Sequence, residues 1–287
     1  MTHRLNNVLL WTLMLLVACA PASMAQDPLN VLIIDGKNNH DWKATTPVLK
    51  KALDRVDRFE YSVDTVKKPG SYKPDFTQYD VIVSNYNGPS WPDETKQAFV
   101  QYVKNGGGFV PVHAADNSFG SWEAYNRIIG LGGWGGRNEK SGPYVYYQDG
   151  KLVRDHSRGG GGTHGPQWEY PVTNRLPNHP ILKGLPKKWK HTEDELYAKL
   201  RGPAKQMSVL ATGPSKKTGR HEPLLMIIRY GDGRCFHTAL GHDVESLSSV
   251  GFLTTFLRGT EWAATGNVTI PVPDNFPGKN KATSWLD

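Results

Sequence analysis

The 287-residue chain is long enough for one large α/β domain or two small ones, with a sizeable core. Its 38% hydrophobic and 21% charged residues exclude a disordered or fibrous chain. The net charge of +7 comes from scattered lysines, clustered only briefly at Lys187-Lys188 and Lys216-Lys217, and this argues against nucleic acid as a partner.

Residues 1–25 read as a secretory signal peptide. Arg4 is their only charge, Val8 to Cys19 is apolar but short for a bilayer, and Ser23 and Ala25 suit a cut before Gln26. Leu16-Val17-Ala18-Cys19 also fits a lipobox, in which Cys19 carries a lipid and supplies the only membrane contact. Both routes predict a periplasmic or secreted protein. Cys235 is then left without a partner, and its place in Gly233-Arg234-Cys235-Phe236-His237 reads as a buried strand.

Residues 26–270 read as one α/β domain. Leu29 to Asp35 is apolar enough for a strand buried on both faces. The polar loop Gly36 to Trp42 leads into a helix over Thr45 to Val56, whose stripe is Val48, Leu49, Ala52, Leu53 and Val56. Phe59 to Val66 and Tyr79 to Ser84 read as strands. Pro92 to Asn105 reads as a helix opened by proline and closed by Gly106-Gly107-Gly108, and Phe109 to Val112 as the next strand. This alternation predicts a doubly wound, flavodoxin-like and mainly parallel sheet. Gly130 to Gly165 is a long glycine-rich excursion with one weak strand at Tyr144 to Tyr147. Further strands are expected at Trp168 to Val172, Met207 to Thr212, Leu224 to Tyr230 and Arg234 to Ala239. A helix over Val250 to Ala264 follows, then a tail over residues 271–287 lying extended on the surface.

Ligands of open parallel sheets bind beyond the carboxyl ends of the strands. His40, Asp41 and Trp42 follow the first strand, Asn85 and Tyr86 the third, His113, Asp116 and Asn117 the fourth, and His242 and Asp243 the last. Three histidines at strand ends point to a site, and imidazoles suit proton transfer. His113, His242, His40 and Asp116 are therefore the candidate catalytic residues. Trp42, Asn85, Tyr86, Asn117, Trp122, His164, Glu169 and Glu195 are the candidate binding residues. Histidines beside carboxylates also suit a divalent metal such as zinc, although no H-E-x-x-H motif is present and a cofactor stays open. Asp194 and Glu195 read equally as a cap near Leu196-Tyr197. Trp42, Trp122, Trp134 and Trp168 lie in or beside these loops, where flat rings suit sugars.

Several stretches, in order, resemble the successive signatures of ThuA-like (trehalose-utilisation) proteins: Val31 to His40, Gly107 to Ala115, His179-Pro180-Ile181 with Gly184-Leu185-Pro186, Asp194-Glu195-Leu196-Tyr197, and Tyr230-Gly231 to His242. The resemblance spans roughly residues 29 to 265 and implies the class I glutamine amidotransferase-like fold. In those amidotransferases the nucleophilic cysteine stands on the turn after a strand. Here that turn carries His113-Ala114-Ala115, so glutaminase chemistry lacks its reactive atom. The resemblance implies instead acid–base chemistry on a keto-sugar or glycoside, as isomerisation, elimination or hydrolysis. A non-catalytic sugar-binding domain and a metal-dependent hydrolase are the rival readings.

Overall fold

The structure is a computed structural model that describes residues 27–286. The proposed signal peptide and the Cys19 lipobox lie outside the described residues.

Strand β1 (Leu29–Asp35) sends Val31 and Ile33 to one face and Leu32 and Ile34 to the other, all shielded from water. A strand apolar on both faces needs a helical layer on each side. Helices α1 (Trp42–Leu53) and α5 (Val250–Thr265) cover the first face, through Val48, Leu49, Phe252 and Phe256. Helices α2 (Asp93–Lys104) and α3 (Glu123–Ile129) cover the second, through Phe99, Val103, Ile128 and Ile129. The doubly wound α/β reading therefore holds.

The sheet is mixed. Strands β2 (Phe59–Thr65), β1, β3 (Val81–Ser84), β4 (Gly108–Pro111) and β11 (Gly233–Thr238) run parallel in that order. Beyond β11 the pairing turns antiparallel through β10 (His221–Tyr230), β9 (Met207–Pro214), β7 (Trp168–Asn174) and β8 (Lys188–Asp194). The glycine-rich excursion supplies a hairpin of β5 (Tyr144–Gln148) and β6 (Lys151–Asp155), attached to β10. Its two-residue turn is Asp149-Gly150, with φ of 49° and 76°, the left-handed pair that a tight hairpin demands.

The chain crosses to opposite sides of β1 when it forms β2 and β3, so the strand order reverses there and a crevice opens at the carboxyl ends. Every loop of the site leaves from that edge. Residues 271–286 are docked rather than merely laid on the surface, which corrects the expectation for the tail. Val272, Phe276 and Trp285 pack on the core, and the Trp285 indole N–H donates to the Leu247 carbonyl at 2.8 Å. No helix among the described residues is long and apolar enough to cross a membrane.

Candidate active site

Four loops at strand ends, with the glycine-rich excursion that supplies Trp134 and His164, build the site. After β1, the Asn38 side chain is tied to Asn85 and accepts the His40 backbone N–H at 3.0 Å, while Asp41 caps α1 through Ala44. After β4, His113 takes a left-handed φ of 46°, costly for a residue with a Cβ. After β8 comes Glu195. After β11, Gly241 and His242 lead into α4 (Val244–Leu247), which Asp243 caps through Ser246.

Asp194 joins the last two loops. It is fully buried and accepts the backbone N–H groups of Glu195 (2.8 Å), Gly241 (3.0 Å) and His242 (3.1 Å) and the His191 ring at 2.9 Å. Burial would raise its carboxyl, yet these donors hold it below the usual carboxylate range. Its charge thereby fixes both Glu195 and His242.

Glu195 stands at the centre. Its Oε2 lies 3.7 Å from His113 Nε2, and its Oε1 lies 3.5 Å from His242 Nε2 and 3.4 Å from His164 Nδ1. Against its burial, the surrounding histidines keep the carboxyl below its ordinary value. The ring centres of His40, His113 and His242 are 4.3 to 5.7 Å apart, so the three converge as the strand-end argument predicts. Burial first, then His113 and His242, pull His40 down to about 4, and it is neutral at pH 7. His242 moves the other way: Asp243, 3.2 Å from its Nδ1, raises it against the effect of burial. Nδ1 thus faces both the Asp243 carboxylate and, at 2.6 Å, the Gln167 amide nitrogen, while Nε2 is presented to Glu195.

The cavity above measures about 390 Å³ and is lined by His40, Asn117, Trp134, His164, Glu195 and Tyr197, with Asn39 and Asn87 at its rim. The His113 and Tyr197 rings lie 4.0 Å apart beneath it. Trp134 enters only because Gly162 has no side chain, since a Cβ there would come within 2.6 Å of the indole. Asn117 and His164 thus line the cavity as expected.

Six other candidates lie elsewhere. Asp116 points into the core, where its Oδ2 meets His237 Nε2 at 3.2 Å. The Tyr86 hydroxyl donates to the Pro89 carbonyl inside an aromatic cluster with Trp91 and Phe119. Trp122 stacks on Tyr125 and borders a separate cleft beside α2. Asn85 is a buried clamp on Thr45 and Thr46. Trp42 opens α1 with Lys43 against its ring, and Glu169 is exposed beside Lys190. Trp122 caps α3 and the others stand in or beside strand ends, but these side chains find their partners outside the cavity. Conversely, Tyr197 and Gln167 escaped selection. Tyr197 sits beside Glu195 in the Asp194-Glu195-Leu196-Tyr197 signature, which was the available signal. Gln167, whose amide is 2.6 Å from His242 Nδ1, carried none.

Comparison with known proteins identifies the family. A family model described as ThuA, trehalose utilisation, matches residues 30–263. The chain is similar to a ThuA-like protein of Parabacteroides merdae, with 47% identity over 90% of this chain and 98% of that one and a TM-score of 0.87. A ThuA-like protein of Bacteroides uniformis shares the fold at 21% identity, 87% and 97% coverage and a TM-score of 0.56. So does a protein of Salmonella typhimurium described as cytoplasmic, at 16% identity, 82% and 99% coverage and a TM-score of 0.51. That description corrects the expectation of a periplasmic or secreted protein, since the fold also occurs in a protein described as cytoplasmic. No protein of curated function matches the sequence. The chain belongs to the ThuA, trehalose-utilisation, family.

Proposed function

We propose that this chain is a carbohydrate-active enzyme that moves a proton at the carbon next to the carbonyl of a keto-sugar or keto-glycoside. The observation that carries the reading is the His242–Asp243 pair, whose Nε2 stands 3.5 Å from Glu195 at the floor of a cavity walled by Trp134 and Tyr197. The family's description, trehalose utilisation, supports a sugar as the ligand.

Oxidising a sugar hydroxyl acidifies the neighbouring C–H. His242 Nε2 takes that proton and the electron pair moves onto the carbonyl oxygen, while Asp243 stabilises the imidazolium. Returning the proton elsewhere isomerises the sugar. Delivering it to a glycosidic oxygen expels the leaving group, and re-addition of water makes the net change hydrolysis. Thioester chemistry has no nucleophile here. Cys235 is buried in β11 and its thiol is pushed up by burial.

The test is solvent deuterium exchange into a keto-disaccharide and its unoxidised parent, followed by mass spectrometry. The native protein should label the keto form alone, and His242→Asn should slow labelling by about a hundredfold. Binding of the keto-sugar with neither labelling nor turnover would refute catalysis and favour a sugar-binding domain.

A further inference from the structure

Beside the proton-transfer pair, the floor of the cavity holds two acceptor atoms that the proposed reaction leaves unused. His113 Nδ1 lies 2.8 Å from the Ala239 carbonyl oxygen. A carbonyl only accepts, so Nδ1 carries the hydrogen and Nε2 is left with a lone pair. That lone pair faces Glu195 Oε2 at 3.7 Å, and neither atom has a hydrogen-bond partner. His113 is 2% exposed, and the Glu195 side chain 13%. Two buried acceptors pointed at one another repel, and each is unfavourable to leave unpartnered. His40 adds a third lone pair. Its Nε2 lies 3.0 Å from both the Tyr197 hydroxyl and the Asn39 side-chain amide nitrogen, two donors that a bound ion would displace.

We infer that His40, His113 and Glu195 form a three-ligand site for a divalent transition cation of the zinc class. One ligand atom from each lies within 4.8 Å of the others. Ligands about 2.0–2.1 Å from a tetrahedral ion stand roughly 3.4 Å apart, so the His113–Glu195 separation already suits it and His40 closes by a small rotation. Two imidazoles and one carboxylate favour zinc over magnesium or calcium, which prefer all-oxygen sites. The supports that orient such ligands are present: the Ala239 carbonyl holds the His113 ring, and Asp194 holds the Glu195 backbone. Three protein ligands leave the fourth position open toward the cavity, where a sugar carbonyl oxygen would be polarised next to His242. This role in turnover rests on the proton-transfer reading; cation binding itself does not.

The test uses tag-free protein stripped with EDTA, then titrated calorimetrically with Zn²⁺ and, separately, Mg²⁺. One Zn²⁺ per chain should bind, with Mg²⁺ at least about a hundredfold weaker. His113→Ala and Glu195→Gln should each weaken Zn²⁺ by well over tenfold, since even supporting residues of such sites give about that loss. Glu195→Gln keeps the shape of the side chain and carries the test should His113→Ala not fold. No Zn²⁺ binding at millimolar ion, or binding unchanged in both variants, would overturn the inference. Keto-sugar turnover by EDTA-stripped protein would overturn the ion's role in turnover while leaving the proton-transfer reading intact. Zn²⁺ bound at these residues without keto-sugar turnover would sustain the metal site and sink that reading.

Discussion

Replacing Asp194 by asparagine tests how the site is held together. The carboxylate accepts two backbone N–H groups on Oδ1, from Glu195 and His242, and Gly241 N–H and the His191 ring on Oδ2. An amide keeps one acceptor oxygen and turns an NH₂ group toward the other donors, the Tyr170 hydroxyl at 3.4 Å among them. Hydrogen bonds to a buried charge are worth about 1.5–3 kcal/mol each, so losing two costs on the order of 3–5 kcal/mol. A domain of this size loses about 2–4 °C of melting temperature per kcal/mol, so Asp194→Asn should melt roughly 10 °C lower. The sign of the pH effect follows from the depressed carboxyl. Its stabilisation is full above the unfolded carboxylate value, about 4, and is lost as pH falls through the folded value. The gap between the two proteins should therefore narrow on acidification. Calorimetric melting across pH reads both effects. A melting temperature within about 2 °C of wild type, or a gap that does not narrow in acid, would refute the assignment of Asp194 as the brace of Glu195 and His242.

Two more outcomes follow from single contacts. Because Asp243 is the largest cause of the raised His242 value, Asp243→Asn should shift the titration of the His242 ring in the metal-free protein to lower pH, as read by NMR; an unmoved titration contradicts the pairing. In α5, Gly259→Ala should destabilise the protein by about 1–2 kcal/mol in urea unfolding, because the new methyl would fall inside the buried Phe236 ring; that overpacking outweighs the helix-propensity gain of about 1 kcal/mol, and a stabilised variant would show that α5 yields more easily than its packing implies.

The regular elements were legible because periodicity is a local property. The doubly apolar β1, the Val48–Leu49–Ala52 stripe of α1 and the long apolar α5 each state their own burial. Short or polar elements were not. Helix α3 is too brief to show a period, and β8 reads Lys-Trp-Lys-His-Thr-Glu-Asp, with its buried polar residues satisfied only by neighbours such as Tyr170 and Gly241. The β5–β6 hairpin carries its local sign in Asp149-Gly150, set within a glycine-rich run that has no period of its own.

The site divides in the same way. Which residues stand at the carboxyl edge follows from chain order alone, and that brought out His40, His113, His242 and the Asp194-Glu195 signature. Which way each side chain turns from that edge does not, because loops have no period and their orientation is set by partners far away in sequence. Asp116 stands three residues after His113, yet it turns inward to reach His237, 121 residues later, while Glu195 turns outward because Asp194 clasps its backbone together with that of His242. The sequence by itself determined the α/β architecture, the family and the three histidines. Only the tertiary structure decided that Glu195 is their common centre, that Asp116 and Tyr86 belong to the core and that Trp122 borders a separate cleft, since those choices rest on hydrogen bonds and packing between segments that meet only when the sheet closes.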